Sequence, residues 1–133
     1  LGDVYKRQVC GYPVYDQTVP LARLWGRELT NFWVHVNTRS KALKDAMCGF
    51  RVYPIAQTLP VLPSVRTRRM DFDPDIAVRL LWAGVPVINR PVRVTYPKDG
   101  ISHFRGFSDN MRISRLHAGH FCTMLLRRMG LAK

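Results

Sequence analysis

Met70 to Leu81, MDFDPDIAVRLL, gathers Asp71, Asp73 and Asp75 in a chain that is otherwise strongly basic. Carboxylates in such a place can do two kinds of work. They complement the positive end of a helix, where backbone N–H groups lack partners. Or one of them takes a proton from an attacking hydroxyl as a general base. The order of residues fits the first reading directly. Asp73 is expected at the N-cap, Pro74 at the first helical position and Asp75 in the first turn. Asp71 is expected in solvent.

Other side chains are candidates on their own chemistry. Arg51 follows Gly49-Phe50. A glycine lets backbone approach a ligand closely, and a guanidinium forks onto phosphate oxygens. The plainer role for Arg51 is an exposed strand residue. Asp45 is placed to hold Arg51 or to contact an acceptor. His117 and His120 can share one helix face, but a metal site needs further ligands and none is near in sequence. A surface or partly buried pair is the expectation. Cys10, Cys48 and Cys122 show no CxxC spacing and no supporting base, so free thiols in a reducing compartment are expected.

These groups must be held by a fold, and 133 residues with 47% apolar content suffice for one core. A net charge of +12 calls for an anionic partner: nucleic acid, an anionic membrane surface or a phosphorylated ligand. The run has no membrane-length apolar segment and no signal peptide. Leu1 to Gln8, LGDVYKRQ, resembles translated sequencing-adapter sequence. Residues 1–8 are therefore expected to be a non-native scar, and residues 9–133 the C-terminal part of something longer.

Val9 to Pro20 reads as a loop punctuated by Gly11, Pro13 and Pro20. A helix follows, with Leu21, Leu24, Trp25, Leu29, Phe32, Trp33 and Val36 at helical spacing and Arg23, Arg27, Asn31 and His35 on the other side. That apolar stripe has two readings, core packing or contact with a membrane surface. Phe50 to Tyr53 alternates like a short strand, and Thr58 to Arg69 is a loop. The helix opened by Asp73 buries Ile76, Ala77, Leu80 and Leu81 and ends at Gly84. Val85 to Tyr96, interrupted by Pro86 and Pro91, is expected near a sheet edge. A last helix starts from Ser108, weakened by Gly119. The sum is an α/β domain with too few strands for an ordinary sheet.

Four segments in order carry a family resemblance: Asp45-Ala46-Met47-Cys48-Gly49-Phe50-Arg51, Met70 to Arg79, Trp82-Ala83-Gly84-Val85-Pro86-Val87, and Tyr96-Pro97 through Ser102-His103-Phe104-Arg105. Together they resemble the C-terminal half of bacterial family 2 glycosyltransferases, in particular polyprenyl-phosphate sugar transferase-like members. The resemblance implies the acceptor-side part of a Rossmann-like GT-A domain, with an incomplete mixed sheet flanked by helices and the N-terminal half of the same domain missing. It implies transfer of a sugar from a nucleotide-diphospho-sugar to an acceptor, a lipid phosphate among the candidates.

The resemblance also implies roles. Asp73 takes the place of the catalytic carboxylate on the acceptor side, with Asp75 as second choice. Ser102, His103 and Arg105 belong to a basic loop that closes on phosphate, where positive charge lowers the barrier as the leaving group gains charge. The family more often has Ser followed by Lys there. A divalent metal, Mg or Mn, is expected in the whole enzyme, with its Asp-x-Asp ligands outside this chain. The expected location is cytoplasmic, peripheral at the inner face of the cytoplasmic membrane, where Arg66, Arg68 and Arg69 would favour anionic headgroups. The competing reading is a small basic module that binds nucleic acid or membrane without catalysis. No helix-turn-helix, zinc or RNA-recognition pattern is present, so nucleic acid is not the expected partner.

Overall fold

A computed structural model describes residues 6–101 and 105–133. Among these residues three strands, β1 (Gln8–Tyr15), β2 (Arg51–Val52) and β3 (Val87–Val94), form a mixed sheet in the order β2-β1-β3. Four helices accompany them: α1 (Leu21–Thr38), a single turn α2 (Ile55–Thr58), α3 (Phe72–Trp82) and α4 (Gly106–Arg128). The expected α/β class with a small mixed sheet and flanking helices is what forms.

The first correction concerns β1. The segment expected to be a loop is the central strand, antiparallel to β2 and parallel to β3 from Gln8↔Val87 to Tyr15↔Val94. Its glycine and proline have strand reasons. A Cβ on Gly11 would lie 2.9 Å from Val92 Cγ2 and 3.0 Å from Cys48 Sγ, so only glycine fits between the neighbours. Pro13 stands beyond the reach of β2, which pairs only with Val9 and Cys10, so its missing N–H is not needed on that side. β3 is an edge strand, which is why Pro91 is tolerated.

Helix α3 is the centre of the molecule. One side packs Ala77 and Val78 against Cys10 of β1, Val34 of α1 and the loop residues Leu43 and Ala46. Its other side packs Ile76 and Leu80 with Val85, under Tyr53, Val61, Val65 and Phe72. It ends where expected. Gly84 adopts φ +79°, and the Gly84 and Val85 N–H groups return to the Leu81 and Leu80 carbonyls. The expected loop from Thr58 to Arg69 includes the end of α2 and a short 3-10 turn at Leu62–Ser64.

The second correction concerns α1. Of the stripe for which core packing is one of two readings, Leu21, Trp25, Leu29 and Phe32 are 57–75% exposed, while Leu24, Trp33 and Val36 are half-buried. The side that is buried carries Thr30, Asn31, Val34 and Asn37. The reason is hydrogen bonding. Asn31 accepts from the Ala46 N–H at 2.9 Å, His35 Nε2 meets the Leu43 carbonyl at 2.8 Å, and Asn37 reaches the His117 carbonyl at 3.3 Å. A polar helix face is thus used to fix the 43–48 loop and α4. Helix α4 repeats the pattern, burying Asp109, Ile113, His117, His120 and Met124 while Met111, Phe121 and Leu125 stay outside.

Candidate functional site

The 45–51 loop and the start of α3 meet around Arg51. Its guanidinium is 1% exposed and spends its donors on its own fold. Nε donates to the Cys48 carbonyl at 2.9 Å, Nη2 to the Asp45 carbonyl at 3.0 Å and Nη1 to Cys10 Sγ at 3.2 Å. Nε also lies 3.8 Å from Asp73 Oδ1. The expected fork onto phosphate is therefore occupied by backbone carbonyls, and a bulky anion reaches Arg51 only if that loop opens.

Asp45 does hold Arg51, but through its backbone carbonyl. Its carboxylate, buried, closes the loop on itself and on α1. Oδ1 accepts from the Met47 and Cys48 N–H groups at 2.9 and 2.7 Å and from Arg27 at 3.0 Å, and Oδ2 accepts from Asn31 at 3.3 Å. With its acceptor positions used this way, Asp45 is a loop-closing residue.

Asp73 is placed differently. Helix α3 begins at Phe72, so Asp71 is the residue before it and Asp73 lies inside the first turn. The expected N-cap role of Asp73 is thus corrected, and neither carboxylate makes a side-chain cap bond. Asp71 is buried rather than solvated, and accepts from the Arg69 N–H at 3.2 Å. Asp73 stays about one-third exposed, at 32%. A Cβ on Gly49 would come no nearer than 4.0 Å to its Oδ2, so nothing crowds that side. Burial raises the proton affinity of Asp73 above that of an ordinary carboxyl, while Arg51 pulls in the other direction. The Tyr53 hydroxyl pulls the same way as Arg51 without closing a hydrogen bond of good geometry. Tyr53 itself is pushed up to about 12 by burial.

Asp75 does not share this site. Two residues along a helix is a rotation of about 200°, so the two carboxylates leave α3 on opposite sides. Asp75 is 1% exposed and bound by three partners. Arg79 Nε donates to Oδ1 at 2.7 Å, His120 Nε2 meets Oδ1 at 2.9 Å and Thr67 Oγ1 donates to Oδ2 at 2.9 Å. Burial pushes Asp75 up, but the bonds from His120, Arg79 and Thr67 outweigh it and hold the carboxyl below its usual range. The two histidines, expected as a surface or partly buried pair, are both buried, and His117 is driven down to about 4 by burial, with His120 adding to it.

The Arg105 N–H donates to Asp109 Oδ2 at 2.7 Å at the start of α4, and the residue is exposed. Arg69 lies 3.7 Å from Asp109 Oδ1, which ties that helix start to the loop entering α3. Ser102 and His103 lie outside the described residues. The structure thus brings together Asp45, Arg51 and Asp73, and separates Asp75 from them. Sequence reasoning missed Tyr53 and the pairing of His120 with Asp75, since partners 20 and 45 residues away leave no local spacing to read. Among the described residues, no group of three His, Cys, Asp or Glu side chains is placed to hold a metal ion. The divergence of Asp73 and Asp75 explains why α3 offers no joint ligand set. Compared with family models, curated proteins and solved structures, the chain matches none.

Proposed function

We propose that this chain is the acceptor-side part of a family 2 glycosyltransferase, with Asp73 as its general base. Two things support the reading: the ordered set of motifs from Asp45 to Arg105, and the state of Asp73. It is the one carboxylate of the set that keeps an open side, beside Gly49, and its proton affinity is raised. A carboxylate of that kind accepts a proton from an acceptor hydroxyl as the oxygen attacks the sugar. Arg51, 3.8 Å away, offsets part of the cost that burial puts on the ionised form of Asp73. If the acceptor is a lipid phosphate, its oxygen is already anionic and Asp73 serves to orient it.

In this reading the nucleotide-diphospho-sugar is held by the N-terminal half of the domain, and Arg105 belongs to the loop that faces phosphate. The described residues do not fit the divalent metal that the family implies, so no step here runs through one. Asp75 has a structural place in the scheme: it anchors α3 to α4 and so holds the first turn that carries Asp73.

The test begins with the coding DNA upstream of codon 9. An in-frame extension with a nucleotide-binding βαβ unit and an Asp-x-Asp is expected. In the extended protein, Asp73→Asn should lower sugar transfer about 10²–10⁴-fold while leaving donor binding intact. Full transfer activity in that variant rules out Asp73 as the base. A start codon near Val9 with no such extension removes the enzyme reading altogether.

A further inference from the structure

Helices α1 and α4 are amphipathic the wrong way round for a core. In each, the packed side is rich in polar groups and the apolar side is bare. On α1 the bare side is Leu21, Trp25, Leu29 and Phe32, at successive spacings of four, four and three. On α4 Phe121 and Leu125 are 37% and 40% exposed, less than the α1 stripe. The two stripes are joined by aromatic contact. Phe32 meets Trp33 edge-on at 5.5 Å between centroids, and Trp33 meets Phe121 at 6.3 Å. An apolar surface shared by two helices and linked through the half-buried Trp33 differs from the singly scattered apolar residues of an ordinary exterior.

The surroundings of this surface are positive. Helix α4 contains one acidic residue, Asp109, and it is buried. Arg115 and Arg128 are exposed and flank the α4 stripe by helical position. On α1, Phe32 runs into a shallow depression shared with His35, Arg39 and Lys41. Arg39 also lines an open cleft of about 340 Å³ together with Arg127, Arg128 and Lys133. Glu28 is the one carboxylate on α1; it is exposed and, three residues after Trp25 and four before Phe32, lies beside the apolar stripe, where the basic groups outnumber it. An apolar face that includes Trp and Phe, rimmed by Arg and Lys, matches a bilayer interface with anionic headgroups. No helix among the described residues is long and apolar enough to cross a membrane, so the contact is one of lying on the surface.

We propose that the joined outer faces of α1 and α4 form a docking surface for an anionic lipid bilayer, with Trp25, Leu29 and Phe32 entering the interface and Arg39, Arg115 and Arg128 meeting headgroups. The inference does not rest on the glycosyltransferase reading. It stands on which faces the helices bury.

The experiment is vesicle flotation of the full chain, with phosphatidylcholine vesicles containing phosphatidylglycerol compared with phosphatidylcholine alone. Binding is expected to the anionic vesicles and to weaken with salt. Trp25→Glu and Leu29→Glu should each reduce partitioning by roughly tenfold or more, since each removes a large apolar side chain from the interface. Both positions are exposed, so circular dichroism should be unchanged. Arg115→Glu with Arg128→Glu should abolish the preference for phosphatidylglycerol. Ile55→Glu, at a side chain 69% exposed elsewhere on the chain, should have no effect. Absence of binding to anionic vesicles overturns the proposal. So does equal loss with Ile55→Glu, which means general stickiness. So does a concentration-dependent dimer abolished by Leu29→Glu when vesicle binding is unaffected, which assigns the face to a second copy.

Discussion

Asp75 Oδ1 lies 2.9 Å from His120 Nε2, joining the first turn of α3 to the middle of α4 across 45 residues of sequence. Two residues earlier, Asp73 faces Arg51 and the open side of Gly49. Neighbouring carboxylates on one helix thus do separate work. One is consumed by folding and the other remains available to a ligand.

That division predicts opposite mutant phenotypes. Asp75→Ala leaves His120 and Arg79 without their carboxylate in a nearly dry site and should cost about 3 kcal/mol. Asp73→Asn should change stability by less than about 1 kcal/mol, because its ion pair is long and its side chain partly solvated. Urea unfolding of both variants beside the parent chain checks this. Equal losses at the two positions would contradict the division.

Arg51 acts as a clamp on the 45–48 loop, and a clamp needs its shape as well as its charge. Arg51→Lys keeps the charge but cannot reach the Cys48 and Asp45 carbonyls and Cys10 Sγ together. It should cost about 2 kcal/mol. Cys10 is fully buried, and burial raises its thiol above the usual value. The loosened variant should therefore expose it, and labelling of Cys10 by a thiol reagent should become faster. Labelling at the parent rate would show that the loop is held by Asp45 alone.

Acid should weaken the fold in two stages. His117 titrates near 4 in the folded chain against 6.5 ordinarily, so between those values the unfolded chain holds more protons. Its contribution is complete above about pH 6.5 and is lost as pH falls towards 4, up to roughly 3 kcal/mol. Asp75 adds a second stage. Its folded value is below the ordinary 3.8, so its contribution is lost only as pH falls through that lower value. His117→Leu should remove the first stage while the second remains. Urea midpoints measured at about pH 7 and about pH 5 isolate the first stage, because the second lies below both. A midpoint difference unaltered by His117→Leu would place the first stage elsewhere.

The legible parts of the sequence were the local ones. The end of α3 at Gly84 and the edge position of β3 follow from residues within a few positions of each other, whereas α3 starts at Phe72 and not after Asp73. The Asp45-to-Arg51 segment could be marked as special from its residues, but not the fact that Arg51 turns inward, because that depends on β1 bringing Cys10 beside it. The sidedness of α1 was misread for a physical reason. Apolar periodicity finds an amphipathic helix but not which face is packed. Here the polar face wins the interior because Asn31, His35 and Asn37 lie where buried loop and helix groups need partners. The central strand was hidden because Gly11 and Pro13 carry loop signals whose justification is tertiary.

Glycine gives the sharpest test of that last point. Gly11 and Gly119 look equally out of place in their elements, one in a strand and one inside a helix. Their surroundings differ. At Gly11 a methyl group would meet Val92, Cys48 and Phe50 at 2.9–3.1 Å, where β3 on one side and the residues leading into β2 on the other close on β1. Gly11→Ala should therefore destabilise by about 1–3 kcal/mol, through a shift of β1 against its neighbours. At Gly119 nothing lies within 4 Å, and the residue is on the exposed side of α4. Gly119→Ala should stabilise by about 0.5–1 kcal/mol through helix propensity alone. Thermal melts of the two variants decide the matter. Stabilisation by Gly11→Ala would mean that β1 does not pack between β2 and β3, and that Val9 to Pro20 is the loop its composition resembles.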